Sequence, residues 1–437
     1  MGISQALYTG VTGLAVNADS MSVTANNIAN ANAKGFKRDR AEFEDLISAS
    51  IAGENAIGRG AKLRDVKTIH TQGGLKVTDS ITDVAIQGSG FLIVSNPNTE
   101  VQESAGKFYT RVGSLNFDKE GNLVDAGGGR IQGYMAKPDG SLTSRLSDVN
   151  IRTSSIPPKQ TEKLTLNVNL DSRQDPLAEP FDLNNAEKTS NFNNTVTVFD
   201  SHGRGHAATV FYRRVEEADG IRWQWHATVN PKEVVGADPE VEYHEFASGE
   251  VAFDKFGNLL TEETTASEVN FANGALQNQV IEFDFGKNMA EEGGNGLNAT
   301  TSISAVSATV FHSQDGYESG NLKSLSIGLD GIITGSYTNG LRRPIGGIAL
   351  ATFENENGLV KAGRNQFFSS FESGPAKVGN PQTGSRGSIY ASALEESNVD
   401  LADEFVNMIL TQRLFQANSR SITTSDSMVE EVVNLKR

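Results

Sequence analysis

Apolar residues near the start of the chain recur every seven positions, which is the spacing of a helix that packs along one seam. The first seam contains Leu7, Leu14, Met21 and Ile28, and the neighbouring seam contains Val11, Ala18 and Ala25. An Asn-rich segment follows and ends at Gly35, and glycine is common just past the end of a helix. The pattern predicts one helix over about residues 4–29.

The far end of the chain repeats this seven-residue spacing. Its first seam contains Leu401, Met408, Phe415, Ile422 and Val429, and its second seam contains Phe405 and Val433. Asn398 or Asp400 can cap a helix start here, and Asp403 and Glu404 would lie in the first turn. The pattern predicts a second long helix. Both helices mix apolar seams with Ala, Ser, Thr, Asn or Gly, so each needs a partner, either the other helix or another copy of the chain.

Between these helices the apolar residues alternate with polar ones, as half-buried antiparallel strands do. The clearest cases are residues 164–170, 223–229, 281–285 and 325–329. The phrase FDKEGNL at 117–123 returns as FDKFGNL at 253–259, and Gly-Asn between apolar flanks predicts a hairpin turn in both. The predicted fold class is mainly β with a terminal α-helical coiled coil, nested antiparallel β domains and an inserted outer domain.

Two breaks in the pattern suggest domain boundaries. One is Pro157-Pro158, and the other is the charged, Gly-rich stretch 291–296. We predict a terminal helical coiled-coil domain (1–30 and 400–437), connecting segments (31–75 and 385–399), a first β domain (76–150 and 310–384) and an inserted outer β domain (151–309).

Charge and composition narrow the choice of partners. The chain has 38 Lys and Arg against 54 Asp and Glu, a formal net charge of −16, which disfavours nucleic acid and anionic membranes as partners. No stretch approaches the roughly 18 apolar residues of a membrane span. The first basic residue is Lys34, so we expect no cleaved signal peptide. There is no cysteine, which excludes disulfides and thiolate sites.

Candidate chemistry is sparse. His202 and His206 are four apart, but Gly203 and Gly205 between them favour a solvated hairpin over a shared metal. We therefore predict no catalytic residue, no metal site and no cofactor. Acids are scattered along the whole chain, so a secreted β-rich carbohydrate-active protein stays open as an alternative.

Several segments resemble one known family. Residues 25–37 (ANNIANANAKGFK) resemble the signature of the rod and hook proteins of the bacterial flagellum, and 397–428 (SNVDLADEFVNMILTQRLFQANSRSITTSDSM) resemble their C-terminal signature. Residues 83–94 (DVAIQGSGFLIV) and 109–134 are similar to the first β domain of these proteins. The long insertion, and 195–212 (TVTVFDSHGRGHAATVFY) within it, resemble hook rather than rod members.

The resemblance implies a non-enzymatic structural subunit of the flagellar hook. Such subunits polymerise into a flexible curved tube that acts as a universal joint and transmits motor torque to the filament; a basal-body rod subunit is the alternative. It implies export without a cleaved signal peptide to an extracellular site on the flagellum. The implied partners are further copies of the chain, the distal rod protein, the hook–filament junction protein, the hook cap and the flagellar type III export gate.

The regular seams at both ends favour a subunit interface over low-packing filler. The predicted interface residues are Leu7, Val11, Leu14, Ala18, Met21, Ala25, Ile28, Leu401, Phe405, Met408, Phe415, Ile422 and Val429. Phe43 and Ile47, in FEDLI, fit a pattern associated with docking at the export gate. Phe43, Leu46 and Ile47 also have helical spacing, and the alternative is that they pack on the first β domain.

Overall fold

The two ends of the chain are helices, as predicted. In the computed structural model, which describes residues 2–47, 58–96, 106–151, 155–215, 220–289 and 299–434, α1 spans Gly2–Ala29 and α2 spans Leu401–Asn434. Asp400 caps α2, because its Oδ1 accepts the Ala402 N–H at 2.8 Å. Asp403 and Glu404 lie in the first turn, where the helix dipole favours negative charge.

The chain divides into two compact units. The first comprises Met1–Ser154, Lys323–Ser336 and Arg342–Arg437, and the second comprises Ser155–Leu322 and Tyr337–Leu341. The chain therefore leaves the first unit, builds the second and returns, so the units are nested. The mainly β, nested fold with paired terminal helices is confirmed. The finer division into four parts stays a prediction.

The strands of the first unit surround the insertion in sequence. Before it lie β1 (Asp39–Ile47), β2 (Gly58–Thr68), β3 (Leu75–Val77), β4 (Val84–Gln87), β5 (Phe91–Ser95), β6 (Lys107–Thr110), β7 (Leu115–Phe117), β8 (Leu123–Asp125), β9 (Arg130–Ala136) and β10 (Leu142–Asp148). In the second unit lie β11 (Lys163–Asn169), β12 (Phe192–Phe199), β13 (Gly205–Val215), β14 (Ile221–Val229), β15 (His244–Phe253), β16 (Leu259–Val269), β17 (Gln279–Val280), β18 (Glu282–Asp284) and β19 (Ala308–Gln314). After it lie β20 (Leu322–Ile327), β21 (Ile332–Tyr337), β22 (Arg342–Ile348), β23 (Leu350–Thr352), β24 (Val360–Gly363), β25 (Gln366–Phe368), β26 (Lys377–Gly379), β27 (Ser388–Ala391) and β28 (Ala393–Glu395).

The main sheet of the first unit is buried on both faces at its centre. Its strand order is β20-β21-β22-β9-β5-β6-β25-β24. Leu92 and Val94 of β5 pack into one apolar cluster, while Phe91 and Ile93 pack into another. Because successive side chains of a strand point to opposite faces, β5 needs apolar residues at every position. This explains the continuous apolar run at 91–94.

The core of the second unit lies around two tryptophans. One sheet has the order β12-β13-β14-β15-β16-β17 and the other has the order β18-β11-β19. Trp223 and Trp225 of β14 are fully buried with Leu164, Leu166 and Val168 of β11. The strand pattern at 164–170 and 223–229 is therefore confirmed.

The predicted strand at 281–285 is divided in two. Val280 of β17 pairs with Glu268, whereas Glu282 of β18 pairs with Lys163 in the other sheet. Ile281 lies between them and donates its N–H to the Ser267 carbonyl at 2.9 Å. The chain thus passes from one sheet to the other at Ile281. The β11–β18 pair is parallel, which corrects the purely antiparallel prediction. At 325–329, β20 ends at Ile327, and Leu329 lies in the turn that follows.

The repeated phrase forms the predicted turn twice. Asp118 Oδ1 accepts the N–H groups of Glu120 and Asn122, both at 2.8 Å. Asp254 does the same for Phe256 at 2.9 Å and Asn258 at 2.8 Å. Gly121 and Gly257 have φ of 81° and 85°, a conformation that glycine adopts without strain.

Candidate subunit interface

The seam that joins α1 to α2 within the chain is made of small and polar residues. The buried positions of α1 include Gly10, Asn17 and Thr24, which are seven residues apart. The buried positions of α2 are Glu404, Thr411 and Ser425, and Asn418 at the intervening heptad position is half-buried. The two buried series therefore share the seven-residue period of the apolar seams but contain no large apolar side chain.

The two helices run antiparallel along this seam. Asn27 Nδ2 donates to Glu404 Oε1 at 3.2 Å near the end of α1. Toward the other end of α1, Gly10 faces Ile422 and Gly13 faces the Asn418 side chain. A Cβ on Gly10 would lie 2.8 Å from Ile422 Cγ1, so glycine permits the close approach here.

The predicted interface residues lie beside this polar seam. Those that are half-buried are Leu7, Leu14, Met21, Ile28, Met408 and Ile422. Those that are exposed are Val11, Ala18, Ala25, Leu401, Phe405, Phe415 and Val429. Val11 and Phe405 keep 53% and 50% of their surface exposed, which is high for large apolar side chains. Ile422 is the predicted residue that reaches the partner helix of its own chain at Gly10.

The structure adds apolar positions that the heptad analysis missed. Tyr8 on α1 is exposed, and so on α2 are Val406, Ile409, Leu410, Leu414 and Met428. On α2, Val406, Leu410 and Leu414 follow one another four positions apart, as do Phe405 and Ile409, so these side chains form two rows along the helix surface. A count of all apolar residues on the α2 surface would have found them.

Asn27 connects three segments and was also missed. Its side chain accepts the Asp39 N–H at 2.9 Å and donates to the Asp39 carbonyl at 2.8 Å, besides contacting Glu404. The Asp39 carboxylate is itself paired with Lys361, whose Nζ lies 2.5 Å from Asp39 Oδ1. The signal was present in the Asn-rich signature at 25–37. Asn27 therefore ties α1 to both β1 and α2.

A buried ion pair holds the segments next to the helices. Lys37 Nζ lies 2.5 Å from Glu395 Oε1, and both side chains are fully buried. Gly73 N–H donates to the same oxygen at 2.9 Å, and Arg111 Nη1 lies 3.5 Å from the other one. Burial lowers the pKa of Lys37, an effect that Glu395 opposes. The loop after α1 is thus joined to β28, which precedes α2.

His70 lies beside this cluster, packed edge-on against Phe91 and Phe367. Burial lowers the pKa of His70 to about 4, with further lowering by the nearby charges of Arg111 and Lys37. The imidazole is therefore neutral at physiological pH.

Phe43, one of the two predicted export residues, lies on β1, opposite Leu63 of β2, and is 38% exposed. Ile47 is the last residue of β1, and its side chain lies outside the described residues. Because 39–47 form a strand, the helical spacing of Phe43, Leu46 and Ile47 is wrong, while their packing on the first β domain stays a prediction. The docking role itself stays a prediction.

The HGRGH segment forms a turn, but only one of its histidines is solvated. His202 is exposed, whereas His206 on β13 is buried and stacks on Phe271. The His206 ring nitrogens face Glu233 Oε2 at 2.6 Å and Asp200 Oδ2 at 3.2 Å. This corrects the prediction of a wholly solvated hairpin, because the period-two alternation of β13 turns His206 inward.

Two features are absent from the described part of the chain. In that part of the chain, no group of three or more His, Asp or Glu side chains has a metal-binding arrangement. Neither described helix combines the length and apolarity needed to cross a membrane.

Four family models match the chain, and together they cover both helices and both units. They are "Flagella basal body rod protein" (7–37), "Flagellar hook protein FlgE/F/G D1 domain" (85–169), "Flagellar basal body protein FlaE D2 domain" (167–317) and "Flagellar basal body rod FlgEFG protein C-terminal" (390–435). The class is therefore that of the rod and hook proteins of the bacterial flagellum.

Full-length relatives make the assignment specific. The flagellar hook protein FlgE of Treponema pallidum is 35% identical over 99% of this chain and 100% of its own length. That of Escherichia coli is 32% identical over 100% of both chains. The chain belongs to the flagellar hook protein FlgE family, and it is a structural subunit of the bacterial flagellar hook.

A solved structure agrees on the fold. The crystal structure of Helicobacter pylori flagellar hook protein FlgE2 has a TM-score of 0.54 and 16% identity, covering 73% of this chain and 100% of that chain. The relatives are named as hook proteins, which denotes a structural role, and the rod and carbohydrate-active alternatives are not favoured.

Proposed function

We propose that copies of the chain polymerise by packing the apolar faces of α1 and α2 against the same helices of neighbouring copies. The polymer is a flexible curved tube that acts as a universal joint and transmits motor torque to the filament. The interface consists of the predicted seam residues together with the exposed apolar residues beside them on α2.

One observation carries this proposal: the buried centre of the seam inside the chain is polar, whereas many large apolar side chains of the helices are exposed. Soluble monomers rarely leave a continuous apolar stripe uncovered. Full burial of one large apolar side chain stabilises an assembly by about 1.5–3 kcal/mol. Phe405, Ile409, Leu410 and Leu414 all lie within two and a half turns of α2 and are at least half exposed. Neighbouring copies can bury this stripe without separating α1 from α2.

The proposed layers of the tube rest on the likeness to hook and rod proteins. We place the paired helices at the inner wall, the first β domain in the middle and the inserted β domain outside. A head-to-tail contact whose rotation does not close generates such an open helix. Many small contacts between copies allow neighbours to shift as the tube bends.

The remaining partners are proposed from the likeness to hook and rod proteins. They are the distal rod protein, the hook–filament junction protein, the hook cap and the export gate. We place the assembled chain outside the cell, reached without cleavage of a signal peptide, and expect it to act without catalysis or a cofactor. Phe43 and Ile47 are proposed to contact the export gate, and neither nucleic acid nor a membrane is a proposed partner.

The test is a charge placed in the exposed stripe. Phe405→Asp should abolish hooks seen by electron microscopy in cells that lack their own hook subunit, because an unpaired charge would be buried at every repeated contact. Phe256→Asp is the matched control, since Phe256 is 70% exposed but lies in the second unit. The purified variants should melt like the parent chain. Normal hooks from Phe405→Asp would contradict the proposal.

A further inference from the structure

The β1–β2 hairpin has one acidic and one basic strand. β1 contains four acids, Asp39, Glu42, Glu44 and Asp45, and one base, although Asp39 is buried and paired with Lys361. β2 contains four bases, Arg59, Lys62, Arg64 and Lys67, and one acid. In a chain with a net charge of −16, a strand this basic is unusual.

Pairing inside the hairpin uses only part of this charge. Lys62 Nζ lies 2.8 Å from Glu44 Oε1, and Glu42 accepts from Arg40 on its own strand at 2.6 Å. Hydrogen bonds from these two bases lower the pKa values of Glu42 and Glu44, so both are ionised at neutral pH. Arg59, Arg64 and Lys67 are exposed and form no ion pair with the described part of the chain.

The hairpin also has open edges. Within the described residues, β1 and β2 form strand pairs only with each other, so the outer edge of each strand has no strand partner, while the Asn27 side chain bonds the Asp39 end of β1 and Gln5 bonds the Gly58 carbonyl of β2. Charges commonly protect such edges from aggregation, but that purpose does not require the two signs to be separated onto different strands. Separation by sign is instead typical of a surface that recognises a complementary one.

The geometry favours another copy of the chain as the occupant. If two copies stand side by side in the same orientation, β2 of one lies beside β1 of the next. Those two strands run antiparallel, because β1 and β2 are antiparallel within each copy. The contact joins unlike edges, so it is head-to-tail and can repeat without closing.

We propose that this hairpin is a second contact between copies, in which the basic strand β2 of one copy faces the acidic strand β1 of the next. It rests on the proposed polymerisation but uses side chains different from those of the helix stripe. It also gives a role to Arg59, Arg64 and Lys67, which form no ion pair with the described part of the chain. Because the charges lie at the surface, the contact weakens as the salt concentration rises.

The test reverses the charge of one strand at a time. Glu42→Lys with Asp45→Lys makes both strands basic, and Arg64→Glu with Lys67→Glu makes both acidic. Either variant alone should reduce hooks per cell by about tenfold or more, since like charges would meet at every repeat. Co-expression of the two variants should restore hooks, because each then offers the edge that the other lacks. Restoration by mixing requires a contact between copies and cannot arise from pairing inside one hairpin.

The controls reverse the same number of charges elsewhere. Glu240→Lys with Glu242→Lys, and Lys232→Glu with Lys287→Glu, alter exposed residues of the second unit and should leave hook number unchanged. The amount of chain in the medium separates assembly from export: the proposal expects exported, unassembled chain. Normal hooks from either single-strand variant, failure of the mixture, or retention inside the cell would overturn it. Phe405→Asp tests the helix contact separately, so its result does not depend on the hairpin contact.

Discussion

Ile422 packs directly against Gly10, so the two helices approach each other closely where α1 has no side chain. Gly10→Ala would raise the intrinsic helix propensity of α1 by about 1 kcal/mol. We nevertheless expect Gly10→Ala hooks to disassemble at a lower temperature, because the new Cβ pushes Ile422 away. Combining it with Ile422→Ala should recover part of the loss. A single variant more heat-resistant than the parent would show that propensity outweighs packing here.

Asn27→Ala should destabilise the connection between α1 and β1. It removes the partners of both backbone polar groups of Asp39 and one bond to Glu404, and an unsatisfied buried group costs about 1–3 kcal/mol. Faster hydrogen exchange at the Asp39 amide would report this directly. Asn32→Ala, at an exposed position in the same segment, is the control and should change nothing.

Glu395→Gln should lower the free energy of unfolding by about 3–5 kcal/mol, because it leaves Lys37 and Arg111 buried without a counter-charge. The chain offers a matched control in the Lys34–Glu396 pair, which is 3.2 Å long but 35% and 46% exposed. Glu396→Gln should cost less than about 1 kcal/mol. Urea unfolding of both variants measures the difference, and equal losses would contradict this account of the cluster.

His70 should make stability depend on pH. Its pKa of about 4 in the folded chain lies below the ordinary value of 6.5, so the unfolded chain binds the proton more readily. The stabilisation is complete above pH 6.5 and is lost as the pH falls toward 4. Between pH 7 and pH 5 the free energy of unfolding of the parent chain should therefore fall by about 2 kcal/mol more than that of His70→Gln. The exposed His202→Gln is the control, and an unchanged pH slope in the His70 variant would refute the prediction.

The sequence predicted the elements whose signal is local. Seven-residue spacing gave both helices, and alternation and Gly-Asn turns gave the second unit's strands, because both patterns depend on near neighbours in the chain. The polar seam was missed because the heptad prediction rested on apolar residues alone, although Gly10, Asn17 and Thr24 have the same period. The Lys37–Glu395 pair joins residues 358 positions apart, and no local pattern could have matched them.

The polar seam also affects what happens when the helices separate. Drawing α1 away from α2 exposes amides, hydroxyls and glycine backbone, all of which water solvates well. The hydrophobic cost of separation comes from the half-buried side chains beside the seam, such as Ile422, and the buried centre of the seam adds little to it. The small and polar residues at the buried centre of the seam therefore lower the free energy needed to separate α1 from α2, compared with a seam of large apolar side chains.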